Sequence, residues 1–211
     1  MALRVKICGL TTPETVDEAV RAGAAYLGFN FFERSPRYVT PSRAAALAAR
    51  VPPGVAKVAL VVNPDDAALD AILAELPADM IQLHGAESPA RAAEIKARHG
   101  LPVMKAVGVR ERPDLAALAL WTGAADQVLV DAKPVPGDPL PGGNGVAFDW
   151  TLLSDRRWFG PWMLAGGLTP DNVAEAARLT HARQVDVASG VESSPGVKDP
   201  ALIRAFLKAA A

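Results

Sequence analysis

The chain has 211 residues, of which 50% are hydrophobic and 21% charged, with a formal net charge of −1 and a single cysteine. So neutral a balance supplies no field for nucleic acid or an anionic membrane, and the apolar residues come in short runs rather than one stretch of about 18 or more, so no membrane-spanning helix is expected. One cysteine excludes an internal disulfide and a thiolate metal cluster, and Met1 to Leu10 carries no basic segment followed by a long apolar stretch, which points to a cytoplasmic protein acting on a small molecule.

Short β-branched runs recur at Leu3 to Ile7, Tyr26 to Phe31, Ala56 to Val62, Met80 to Leu83, Pro102 to Val107, Gln127 to Val130, Trp162 to Ala165 and Gln184 to Ala188. Between them lie Ala-rich amphipathic segments at Pro13 to Ala22, Pro41 to Arg50, Asp65 to Leu76, Ser88 to His99 and Pro170 to Thr180, many opening with Pro, Ser, Thr or Asp as helix starts do. Strict alternation predicts a parallel sheet. Eight units with no leftover segment favour an α/β fold of one domain over residues 1–211, a single (β/α)8 TIM barrel, over the alternative of an open doubly wound sheet. The Pro- and Gly-rich stretch from Lys133 to Ala147 reads as a long loop after strand six. In a barrel such loops form the catalytic face, so it is a candidate lid or ligand clamp.

Side chains alternate along a strand. If Val5 and Ile7 face the helices, Lys6 and Cys8 face the barrel interior, and the same count turns Asp131 inward at the rim of strand six. A thiolate and a carboxylic acid facing one another across the mouth can pass protons to and from opposite sides of a small substrate. Taken singly, a free cysteine is most often a small core hydrophobe and an aspartate here the cap of a turn. Asp186 also turns inward, on the strand next to Lys6 in a closed barrel, so a buried structural ion pair between Lys6 and Asp186 is expected, one whose field could tune the thiol.

Glycines follow both of the last two strands, in Ala165-Gly166-Gly167-Leu168 and Ser189-Gly190-Val191, with Gly142-Gly143-Asn144-Gly145 in the neighbouring loop. Backbone N–H groups exposed in this way suit a phosphate group, while no Walker-type lysine follows them. Of three scattered histidines only His84 lies at a strand end, as a substrate contact or a turn residue, and no convincing metal-ligand set exists. Arg37, in Ser35-Pro36-Arg37-Tyr38, reaches the same face and could hold a carboxylate through paired hydrogen bonds, or stand solvated in its loop.

These pieces resemble phosphoribosylanthranilate isomerase, a barrel family of tryptophan biosynthesis. The resemblance runs from Val5-Lys6-Ile7-Cys8-Gly9-Leu10-Thr11 through Ser35-Pro36-Arg37-Tyr38, Gln82-Leu83-His84-Gly85 and Val130-Asp131 to Asp186-Val187-Ala188-Ser189-Gly190-Val191-Glu192. It departs at the proline-rich Lys133 to Leu140 segment. The resemblance implies an Amadori rearrangement of N-(5-phosphoribosyl)anthranilate, with Asp131 as acid, Cys8 as base and Arg37 on the anthranilate carboxylate. It places Gly143, Gly145, Gly166, Gly167, Ser189 and Gly190 around the phosphate. It implies no metal and no organic cofactor, and it leaves open whether the protein is a monomer or a homodimer. The competing readings are an aminoaldose isomerase with two aspartates, against which Cys8 argues, and a barrel that binds a phosphorylated metabolite without turnover.

Overall fold

The computed structural model describes residues 3–133, 142 and 147–211. In chain order the elements are β1 (Arg4–Cys8), α1 (Pro13–Arg21), β2 (Tyr26–Asn30), α2 (Pro41–Ala48), β3 (Ala56–Val61), α3 (Asp66–Glu75), β4 (Met80–Leu83) and α4 (Pro89–His99). They continue with β5 (Val103–Val109), α5 (Ala116–Ala119), β6 (Gln127–Ala132), β7 (Trp162–Leu164), α6 (Val173–Thr180), β8 (Gln184–Val187), β9 (Glu192–Ser194), β10 (Val197–Lys198) and α7 (Pro200–Ala209). Strands β1 to β8 close into a parallel barrel in sequence order, β1 pairing with both β2 and β8, as the alternation predicts.

The helices start where the chain offers a cap. Thr12, Thr40, Ser88 and Asp199 each place a side-chain oxygen on a backbone N–H of the first turn, and a proline follows each at the first helical position. The oxygen satisfies an N–H with no partner inside the helix, and proline has no N–H to lose there; each such cap is worth ~1 kcal/mol. Helix α6 begins at Val173, three residues later than the sequence pattern predicts. The Asn172 side chain accepts from Thr169 N at 2.8 Å and donates to Gly167 O at 3.0 Å, which folds residues 167–172 into a turn.

Strand alternation divides the core in two. Val5, Ile7, Leu27, Phe29, Ile81, Leu83, Val130, Leu164, Val185 and Val187 face the helices. Tyr26, Val58, Met104, Ala106, Leu129, Met163 and Ala165 fill the barrel itself. Beneath them Tyr26 donates to Gln184 Oε1 at 2.7 Å, and the Arg4 guanidinium lies 4.7 Å from the Tyr26 ring centre. The interior is therefore packed shut below the mouth, and polar groups facing inward near the strand ends open only toward the loops that follow the strands.

Candidate active site

The β1 side of the mouth is built on register. Lys6 lies opposite Asp186 of β8, and Cys8 opposite Gly28 of β2. Lys6 is wholly buried, and its Nζ donates to Asp186 Oδ1 at 2.9 Å. A cation so enclosed needs a counter-charge, and the barrel supplies it on the neighbouring strand. A Cβ added to Gly28 would lie 3.0 Å from Cys8 Sγ and 3.2 Å from Lys6 Nζ, so thiol and ammonium share the space that a side chain on β2 would fill. Burial pushes the Cys8 thiol up, Lys6 pulls against that shift, and Asp186 adds to it. For Lys6, burial disfavours the charge, but Asp186 and Cys8 outweigh it and hold the ammonium above the usual lysine range.

Arg37 reaches the same cleft from the β2 loop. Asn30 Oδ1 accepts from Phe32 N at 2.8 Å, Asn30 Nδ2 donates to Ser35 Oγ at 3.1 Å, and Arg37 N donates to the same hydroxyl at 3.1 Å, so the loop is tied to the end of its strand. The guanidinium is buried, with Nε donating to Glu192 Oε1 at 2.7 Å and Nη2 to Glu192 Oε2 at 2.8 Å. The paired grip that the sequence suggested for a ligand is thus made, on that edge of the fork, to a carboxylate of the protein. Lys198 Nζ joins the cluster, donating to Glu192 Oε1 and, at 2.8 Å, to Ala188 O. Burial pushes Glu192 up, but Arg37 and Lys198 together hold it below the usual carboxylate range; burial drives Lys198 down against the pull of Glu192.

Across the mouth, Asp131 Oδ1 accepts from Ala132 N at 2.8 Å, and Oδ2 faces His84 Nε2 at 3.4 Å. Gln82 Nε2 lies 3.0 Å from His84 Nδ1. With Nδ1 turned to the Gln82 amide, Nε2 is the ring nitrogen that faces Asp131. Gly142 rests on this pair: a Cβ there would be 2.5 Å from His84 Nε2 and 2.6 Å from Asp131 Oδ2. Outside the barrel, Lys105 Nζ donates to Glu87 Oε2 at 2.7 Å and Gly85 O at 2.6 Å, bracing the loop that carries His84.

The loops after β7 and β8 lie beside these groups. Cys8, Arg37, His84, Asp131, Gly142, Gly166, Gly167 and Ser189 all line one cleft. Gly166 and Gly167 have φ of 85° and 64°, a left-handed pair that glycine adopts without strain. Gly190 is not among the cleft-lining residues; a Cβ on it would meet Leu168 O at 1.8 Å, so its bare backbone lets the two loops pack. Gly143 and Gly145 lie outside the described residues, as does most of the Lys133 to Ala147 loop. Among the described residues no group of three or more His, Cys, Asp or Glu side chains could hold a metal ion, and no helix is long and apolar enough to cross a membrane.

Sequence reasoning missed Glu192 as a partner of Arg37, and Lys198 altogether. The signal was Pro195-Gly196, a turn pair between two short segments: Gly196 has φ of 84°, and the β9–β10 hairpin it closes sets Lys198 directly opposite Glu192.

The family profile for N-(5'phosphoribosyl)anthranilate (PRA) isomerase matches residues 5–209. The N-(5'-phosphoribosyl)anthranilate isomerase of Paracoccus denitrificans is 65% identical, over 98% of this chain and 96% of its own. That of Cereibacter sphaeroides is 61% identical over 99% and 98%. The crystal structure of phosphoribosyl anthranilate isomerase from Thermotoga maritima superposes with a TM-score of 0.87 at 34% identity, covering 99% of this chain and 98% of that one. A phosphoribosyl anthranilate isomerase in complex with reduced 1-(o-carboxyphenylamino)-1-deoxyribulose 5-phosphate gives 0.84 at 33% identity, with the same coverage. The chain belongs to the N-(5'-phosphoribosyl)anthranilate isomerase family, and it is an intramolecular oxidoreductase of tryptophan biosynthesis that converts an aldose into a ketose.

Proposed function

We propose that Cys8 and Asp131 divide the proton transfers of this rearrangement between opposite walls of the cleft. The observation that supports this division is their placement: one ends β1, the other lies at the end of β6, and both line the same cleft while 4% and 8% exposed. Asp131, protonated, donates to the ribose ring oxygen of N-(5'-phosphoribosyl)anthranilate, and the ring opens to an iminium ion. The positive charge acidifies the neighbouring C2–H. The Cys8 thiolate removes that proton, and the resulting enolamine tautomerises to the ketone. Burial favours the thiol over the thiolate, so the base depends on the Lys6 charge beneath it and on the iminium above it.

In this reading Arg37 holds the anthranilate carboxylate, His84 contacts the substrate beside Asp131, and Gly166, Gly167 and Ser189 offer backbone N–H groups to the phosphate. Gly190 supports that site by letting the two loops pack. The Lys6–Asp186 pair is structural as well as electrostatic. The substrate's own nitrogen is the electron sink, so the mechanism calls for neither metal nor organic cofactor. The substrate is a small phosphorylated aminosugar, neither nucleic acid nor membrane takes part, and the chain works as one domain in the cytoplasm. Incubating metal-free protein with N-(5'-phosphoribosyl)anthranilate and following the loss of its fluorescence tests the assignment. Wild type should turn over, and Cys8→Ser should bind product but convert almost no substrate; near-normal turnover by Cys8→Ser would remove the base from this scheme.

A further inference from the structure

Glu192 and Lys198 touch neither the thiol nor Asp131 in any hydrogen bond, yet both are more deeply buried than most polar groups of the cleft, with side chains 3% and 1% exposed. Each has partners on both sides. Glu192 takes Nε and Nη2 of Arg37, accepts from Gly196 N at 3.2 Å, and shares Oε1 with Lys198. Lys198 passes the connection to the backbone by donating to Ala188 O, immediately before Ser189. The packing follows the same route. A Cβ on Gly196, at the tip of the β9–β10 hairpin, would meet Pro36 O at 2.4 Å, so the tip lies against the residue before Arg37. Gly190 in turn lies against Leu168 O.

We propose that Glu192 and Lys198 are positioning residues that lock the carboxylate-binding and phosphate-binding ends of the cleft into one fixed arrangement. A guanidinium gripped along its Nε–Nη2 edge can neither rotate nor slide, so its orientation in the cleft is set before substrate arrives. A carbonyl held by an ammonium fixes the peptide plane that follows it, which here carries the Ser189 N–H. A substrate that has to reach both ends at once then meets a preset span, and the ordering cost falls on folding instead of binding. This inference rests on the roles proposed above for Arg37 and Ser189.

The test measures the two ends separately, with anthranilate and inorganic phosphate as competitive inhibitors of wild type, Arg37→Ala, Glu192→Gln and Lys198→Met, alongside kcat, KM and thermal midpoints. Glu192→Gln should raise the anthranilate inhibition constant about tenfold and the phosphate constant about threefold, and raise KM more than it lowers kcat. Lys198→Met should show the reverse weighting. If Arg37→Ala weakens anthranilate while folded Glu192→Gln leaves both constants within about twofold of wild type, the locking role is wrong and the Arg37 assignment stands. If Arg37→Ala leaves anthranilate inhibition unchanged, the Arg37 assignment itself falls. Should Glu192→Gln fail to fold, Lys198→Met decides: an unchanged phosphate constant overturns the proposal.

Discussion

On the β1 side of the mouth, Lys6 is paired with Asp186 of β8 at 2.9 Å, and Arg37 of the β2 loop with Glu192 of β9 at 2.7 and 2.8 Å. Across the mouth, among the described residues, Asp131 has a bond to the next backbone N–H and a looser contact with His84 at 3.4 Å, with the bare backbone of Gly142 against both. In the proposed scheme the difference suits the two protons. A thiol must be helped to ionise in a buried place, so its wall carries fixed charges held by other fixed charges. In that scheme a carboxylic acid has to keep a proton and then surrender it to a ring oxygen, and the described residues give Asp131 few permanent donors.

The largest expected effects lie at the two proton-transfer groups themselves. Cys8→Ser and Asp131→Asn should each lower turnover by about 10² to 10⁴-fold, the range of a general acid or base, with product affinity largely kept. Steady-state fluorescence kinetics with product titration measures both quantities, and a lost product affinity would mean that the variant had disturbed the cleft instead of the chemistry.

Gly142→Ala is expected to come next. Its methyl would press on both His84 and Asp131, and a misplacement of about 1 Å can cost roughly a hundredfold in turnover. In an Asp131→Asn background the same methyl should cost much less, because the proton it disturbs is no longer delivered; equal losses in both backgrounds would mean that Gly142 acts elsewhere.

The charged wall can be probed by sign. Lys6→Met removes the positive charge that favours the thiolate, so the pH midpoint of Cys8 alkylation should rise further above the ordinary thiol value of about 8.5. Asp186→Asn removes a negative charge that disfavours it, and should move the midpoint the other way. A role limited to packing would not produce opposite shifts from the two ends of one ion pair.

The smallest effect concerns acid stability. The Glu192 carboxyl is held below the usual carboxylate range, so it contributes stability above the unfolded value of about 4.3 that is lost as pH falls through its folded value. Glu192→Gln should start less stable at neutral pH and lose less on acidification. Urea midpoints of the two proteins that fall in parallel across that window would show that Glu192 is not ionised in the native state.

Much of this contrast was legible in the sequence because strand alternation is local. Once Val5 and Ile7 are assigned to the helix side, Lys6 and Cys8 must point inward, and the order of strands around a closed barrel brings Asp186 beside Lys6 without further information. Glu192 and Lys198 were not legible in that way. They belong to a hairpin appended after β8, and Arg37, the partner of Glu192, lies more than 150 positions earlier in the chain. No periodicity reports such a contact; only the Pro195-Gly196 turn hinted that the chain doubles back. Gly190 was legible as a glycine but not in its use, since a bare backbone that faces a ligand and one that faces a neighbouring loop look alike in sequence.

Gly28 carries a consequence for how this barrel can change. Its empty side is where the sulfur of residue 8 and the ammonium of residue 6 come together, so the three positions form one packing unit. A larger base at position 8 would have to fit the same notch, and a side chain at position 28 would evict its occupants. Variation that explores new chemistry at this mouth must pass through coordinated replacement of residues on adjacent strands.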